Sequence, residues 1–186
     1  LSGLEELATR VAVAAGRLVV DERPRLVEAS ATKSSPTDIV TIMDTRAEEL
    51  IRGLLLAERP ADGFLGEEGN DHRGTSGITW IVDPLDGTVN FRHGFPYYSV
   101  SIALTHGHEV THAVVLDPVH DELFTAVKGK GAQLNGTPIR TSTCVRLQDA
   151  LVGTVFPARK STGMAAYLPV LNALVPKCAG SRRAGA

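Results

Sequence analysis

The sequence is short of most features that mark a specialised class of protein. It holds two cysteines, Cys144 and Cys178, at no metal-type spacing, which argues against a zinc scaffold or a disulfide framework and fits a reducing cytoplasm. Aromatic residues make up 5%, with Trp80 the single tryptophan. No apolar run approaches the ~20 residues of a membrane-spanning helix, and the N-terminus reads as an amphipathic helix, not a signal peptide. Charge is nearly balanced, at a formal −2 with pI near 6.3, and no basic run exceeds Arg182-Arg183. No nucleic-acid partner is therefore expected from a global basic field. There is no internal repeat or low-complexity tract. "GKGAQLNG" lacks the Gly-Lys-Ser/Thr ending of a phosphate loop and reads as a turn. His106, His108 and His112 have strand-face spacing for zinc, but Gly107 makes a hairpin with exposed imidazoles the simpler reading. The cysteines read as small buried side chains.

What is present is ample apolar content, 43% over 186 residues, enough for one domain or one domain and part of another. "SGLEELATRVAVAAGRLVV" predicts a helix with Leu4, Leu7, Ala8, Val11, Ala14, Ala15 and Leu18 on its buried face, Ser2 and Glu5 forming a capping box, and an end at "DERPR". A polar loop or hairpin, "SATKSSPTD", follows. "TIMDTRAEELIRGLLLAERP" predicts a second helix that buries Leu50, Ile51, Leu54 and Leu55, with Thr41 or Asp44 near its start. The period then shortens to that of strands: "GFLGEEG", "TWIVDP", "YYSVSIALTH", "EVTHAVVLDP" and "ELFTAVKG", with an Asn-Gly turn in "AQLNGTPI". After residue 150 come a strand in "ALVGTVFP" and a helix through "GMAAYLPVLNALV". Two helices followed by an antiparallel meander predict a layered α+β fold. Residues 1–150 form the first domain in this reading, and 151–186 open a second α/β unit that stops before it is complete.

Glu67, Glu68, Asp83 and Asp86 fall just past two predicted strand ends, in "LGEEG" and "VDPLDG". Parallel strands would bring these carboxylates together, and like charges a few ångströms apart repel unless a cation joins them. Mg²⁺ commonly takes one or two carboxylates with water and substrate phosphate. Pro84 restricts the backbone so that the Leu85 carbonyl could face the same pocket, and Gly87 and Thr88 offer N–H groups for a phosphate. Asp-Pro, Asp-Gly and Glu-Glu-Gly are also ordinary turn sequences, so the residues alone leave a turn and a cation site both open.

"GEEG" followed by "WIVDPLDGTVNF", with "KSSPTDIVTIMD" upstream and "GKGAQLNGTPI" downstream, resembles the inositol monophosphatase family of Mg²⁺-dependent, lithium-sensitive phosphatases. The resemblance implies a layered αβαβα fold. It implies that Glu67, Asp83 and the Leu85 carbonyl hold one metal, that Asp83 and Asp86 hold a second, and that Glu68 supports an outer position. Thr88 and Asp44 would handle the attacking water, with Glu67 counted among the catalytic groups and the Lys33 loop closing over the metals. Glu67, Leu85, Asp86, Gly87, Thr88, Gly185 and Ala186 would face substrate, the last two because "RRAGA" resembles the start of the family's substrate loop. The implied cofactor is Mg²⁺, with Mn²⁺ as substitute and Li⁺ as inhibitor. The implied form is a cytoplasmic homodimer acting on a small phosphorylated polyol, inositol 1-phosphate foremost. Histidinol-phosphate, adenosine bisphosphate and sugar bisphosphate phosphatases are alternatives of the same class, and a non-catalytic binding protein is one of a different class. The family's later Trp-Asp motif, whose aspartate ligates the second metal, does not occur in these 186 residues, so one divalent ion is expected to bind better than two if they are the whole molecule.

Overall fold

The computed structural model describes residues 3–26, 29–32, 39–69, 71–157 and 163–185, with the backbone alone for those between 23 and 41. Ser2, Lys33 and Ala186 lie outside the described residues.

Two helices cover one face of the main sheet. The first, α1 (Leu4–Leu26), buries Leu4, Leu7, Ala8, Val11, Ala12, Ala15 and Val19 against the strands. The buried stripe is thus turned from the predicted one: Ala14 and Leu18 are only half-buried, while Ala12 and Val19 go in. The cause is a close approach at Gly16, where an added Cβ would stand 2.6 Å from the Leu116 side chain. The smallest residues face the sheet, and this lets the helix axis come near it. The helix also runs through "DERPR", because a last turn needs no buried face and Glu22 is tied by Arg46 to the next helix.

A hairpin of β1 (Ala29–Thr32) and β2 (Ile39–Thr41) leads directly into α2 (Ile42–Glu58). Met43, Ala47, Ile51 and Leu55 recur every fourth residue and are fully buried, whereas Leu50 is half-buried and Leu54 is exposed, contrary to expectation. Two acidic residues, Asp44 and Glu48, share the buried side.

The main sheet has seven strands in sequence order: β3 (Gly63–Gly66), β4 (Ile78–Asp86), β5 (Ser99–His106), β6 (Glu109–Asp117), β7 (Glu122–Val127), β8 (Gly131–Leu134) and β9 (Thr137–Ile139). Among the described residues of this sheet, only β3 and β4 run parallel; every later pair is antiparallel. Asn135 and Gly136, both at positive φ, make the two-residue turn between β8 and β9. Alternate residues of β5 and β6, Val100, Ile102, Leu104, Val114 and Leu116, point under the helices and join Trp80, Phe64, Ile51 and Leu55 in the core. At ~25 cal/mol per Å² of apolar surface, this burial is the main favourable term of the fold.

A short helix, α3 (Thr88–His93), follows β4. Towards the end of the chain, β10 (Leu151–Gly153) and β11 (Gly180–Arg182) pair in parallel, joined through α4 (Gly163–Leu174), which contains Pro169. Cys144 is exposed and Cys178 half-exposed, both free thiols. The expectation that they are buried fails because Cys144 sits in an irregular segment with no apolar layer beside it. Among the described residues no helix is long and apolar enough to cross a membrane.

Candidate active site

The parallel pairing of β3 with β4 sets Gly66 opposite Val82, so the "GEEG" turn and the "DPLDG" segment leave the sheet side by side. Three residues apart on a regular strand, Asp83 and Asp86 would point to opposite faces. They do not, because Asp83 pairs with Ser101 and Asp86 with Ser99, with one extra residue on β4 between them. That bulge resets the alternation and brings both aspartates to one side. Pro84 lies within it, where a missing N–H costs the ladder least.

The carboxylates meet as pairs. Asp83 shares a hydrogen bond with the Glu67 side chain and feels the charge of Asp86. Burial, with Glu67 and Asp86 beside it, pushes Asp83 up to about 7, although the Leu85 N–H donates to its Oδ1 at 3.2 Å. Burial also raises Asp86, against a hydrogen bond from the Gly87 N–H. The Gly87 N–H expected to face a phosphate is thus directed at Asp86. Among the described residues, no three His, Cys, Asp or Glu side chains close on one point as a ready-made cage. A repelling carboxylate pair with a nearby carbonyl suits a hard divalent cation that completes its shell with water and phosphate.

Next to these groups, the Thr88 hydroxyl lies 2.9 Å from Asp44 Oδ1 and 3.1 Å from the Leu85 carbonyl. A hydroxyl has one proton and two lone pairs. With its proton directed to Asp44, Thr88 keeps lone pairs to accept from a water. Beneath the turn, Leu85 packs with Val19, Met43, Ala47, Phe91 and Tyr98, and this second small core holds α3 against α1 and α2.

Of the residues expected to face substrate, Glu67, Leu85, Asp86, Gly87 and Thr88 are gathered here. Gly185 is also brought in: Asn90 Nδ2 of α3 donates to the Ala184 carbonyl at 2.9 Å and to the Tyr97 carbonyl at 2.7 Å. Glu68 is half-exposed on the same turn, and its N–H donates to Glu48 Oε2 at 2.8 Å. Glu48 and Asn90 escaped the sequence reading. An acidic residue inside an otherwise apolar helix stripe, four positions after Asp44, was the available signal for Glu48.

The three histidines do not assemble. His106 and His108 are exposed at the β5–β6 turn, while His112 is buried, contrary to the expectation of an exposed ring. Burial lowers its pKa, and its Nδ1 sits 2.9 Å from Thr111 Oγ1.

The inositol monophosphatase family matches across residues 1–186. Nus factor SuhB of Pseudomonas aeruginosa is 42% identical over 185 residues, 97% of this chain and 68% of that protein. Inositol-1-monophosphatase of Rhizobium meliloti is 39% identical, over 99% of this chain and 70% of its own length. The crystal structure of extragenic suppressor protein SuhB from Bartonella henselae superimposes with a TM-score of 0.93 at 37% identity, covering 99% of this chain and 71% of that one. These matches place the chain among the phosphatases. It belongs to the inositol monophosphatase family.

Proposed function

We propose that the chain hydrolyses phosphate monoesters of small polyols, inositol 1-phosphate first among them, with Mg²⁺ as cofactor. The observation that carries this reading is Asp83, flanked by Glu67 and Asp86 and pushed up to about 7. A carboxylate so placed is poorly accommodated alone and well accommodated beside a cation. Glu67, Asp83 and the Leu85 carbonyl would hold one ion, Asp83 and Asp86 a second, and Glu68 an outer one; Mn²⁺ would substitute and Li⁺ would inhibit. When bound, such ions supply an acidified water and neutralise charge on the phosphate and on the departing oxygen.

The protein's own part is placement. Asp44 orients the Thr88 hydroxyl so that its lone pairs receive a hydrogen bond from the attacking water. Glu67, just past the end of β3, is hydrogen-bonded to Asp83 and so stands at the same point of the site. Asp86 and the Gly87–Thr88 turn form one wall for the ester, and Gly185, beside Asn90 and following the Ala184 carbonyl that Asn90 binds, supplies another; the substrate role expected for Ala186 falls outside the described residues. All the proposed metal-facing groups lie within residues 1–150, the first of the two domains. A cytoplasmic homodimer is the form expected from the family.

Phosphate release from inositol 1-phosphate, histidinol phosphate, adenosine bisphosphate and a sugar bisphosphate, each with and without Mg²⁺, tests the reading. Inositol 1-phosphate should be turned over fastest and only with the metal. Preference for histidinol phosphate by orders of magnitude would move the assignment to that branch. Several matched relatives are named Nus factor SuhB, and this supports a second reading, in which the chain acts as a binding factor of the kind those names state. No rise in melting temperature with Mg²⁺ or Mn²⁺, together with no hydrolysis, would favour it.

A further inference from the structure

Glu48 is fully buried, yet it is a carboxylate in the middle of the apolar stripe of α2. Its Oε2 accepts the Glu68 N–H at 2.8 Å. The same carboxylate lies flat against Gly66, where an added Cβ would fall 2.5 Å from Glu48 Cδ and 2.8 Å from Oε1. Glu67 is therefore gripped on both sides, by the close approach at Gly66 before it and by the Glu68 hydrogen bond after it. One helical turn earlier, Asp44 accepts from Thr88. Side chains four apart on a helix lie on one face with Cβ atoms about 5–6 Å apart. α2 thus extends two buried acidic side chains, Asp44 to the "DGT" turn and Glu48 to the "GEEG" turn, which are brought by different strands.

We infer that Glu48 is a positioning residue: it sets the height and direction of Glu67 against Asp83, and α2 acts as the spacer between the two halves of the site. The inference rests on the proposed metal role of Glu67 and Asp83. Outer groups of this kind commonly change metal affinity by about 10–100-fold when removed. An exposed loop carboxylate would otherwise lose affinity to its own freedom of movement, which binding has to remove.

Calorimetric titration with Mn²⁺, alongside the melting temperature of the metal-free protein, tests it in Glu48→Gln, Glu48→Met and Gly66→Ala. Gln retains an acceptor at the same reach and should bind Mn²⁺ close to the wild-type value. Met fills the same space without an acceptor and should weaken binding about tenfold or more. Gly66→Ala displaces the carboxylate from the other side and should weaken binding similarly, so the test survives if the Met variant fails to fold. Wild-type affinity in Glu48→Met or in Gly66→Ala, whatever the melting temperature does, overturns the inference while leaving the site intact. Absence of Mn²⁺ binding in the wild type overturns the proposed site itself, and the inference with it.

Discussion

Asp83 keeps part of its proton near neutral pH, where an ordinary aspartate has lost it, and the consequence can be measured without substrate. Its pKa rises from the model-peptide value of 3.8 to about 7 on folding, so between roughly pH 4 and 7 the folded state binds more protons than the unfolded one. Stability of the metal-free protein from this group is then complete below pH 4 and lost as pH rises through 7. Asp83→Asn should flatten that decline, raise the melting temperature at pH 8 without metal, and abolish activity. A steep decline retained in the variant, or activity near that of the wild type, would remove Asp83 from the site. Thr88→Ala separates a different role. Its hydroxyl touches Asp44 and the Leu85 carbonyl, so kcat should fall by about 10²-fold or more, the range typical of acid–base groups, while Mn²⁺ affinity changes little. A parallel collapse of Mn²⁺ binding would make Thr88 part of the metal environment.

At the scale of elements, the join between α2 and the sheet depends on a residue that carries no chemistry. Asp62 is fully buried and accepts from Arg59 Nε at 2.9 Å and Nη2 at 3.1 Å, Ser76 Oγ at 2.6 Å and Trp80 Nε1 at 3.1 Å. Burial alone would raise its pKa, but the bonds from Arg59, Ser76 and Trp80 together hold it below the usual range. Asp62→Ala strands the buried Trp80 N–H and removes the partner of Arg59, and it should cost about 3 kcal/mol or more in urea unfolding. A loss under about 1 kcal/mol would show that Asp62 is not the clasp between these elements. Nothing in "RPADGF" distinguished this residue from a turn aspartate paired with Arg59, because its further partners, Ser76 and Trp80, lie beyond the reach of local pattern. The β4 bulge was hidden for a related reason. A strand read alone has period two, and only the register against Ser99 and Ser101 shows that Asp83 and Asp86 share a side. Helices α1, α2 and α4, the meander and the Asn135-Gly136 turn were legible because each is specified by neighbours in sequence, whereas the short α3 was not called. The buried stripe of α1 was misjudged because packing at Gly16 favoured small residues over large ones.

At the scale of the whole molecule, the fold consists of two helices on a seven-stranded sheet whose one parallel pair delivers "GEEG" and "DPLDG" to the same edge. Family membership agrees with that arrangement across the full match. The nearness of Glu67, Asp83 and Asp86 was legible from their places at two strand ends; the buried supports, Glu48 and Asn90, were not, since they act through backbone atoms of distant segments. On the proposed reading, this edge is a divalent-cation site whose shared group is Asp83. Metal binding displaces protons from groups that must be ionised to bind. Calorimetric titration with Mn²⁺ at pH 6.5, repeated in buffers of different ionisation enthalpy and again at pH 8.5, measures that displacement directly. The wild type should bind Mn²⁺ at both pH values and release a substantial fraction of a proton at pH 6.5, falling towards zero at pH 8.5. Absence of binding, or binding with no proton release at pH 6.5, would contradict the claim.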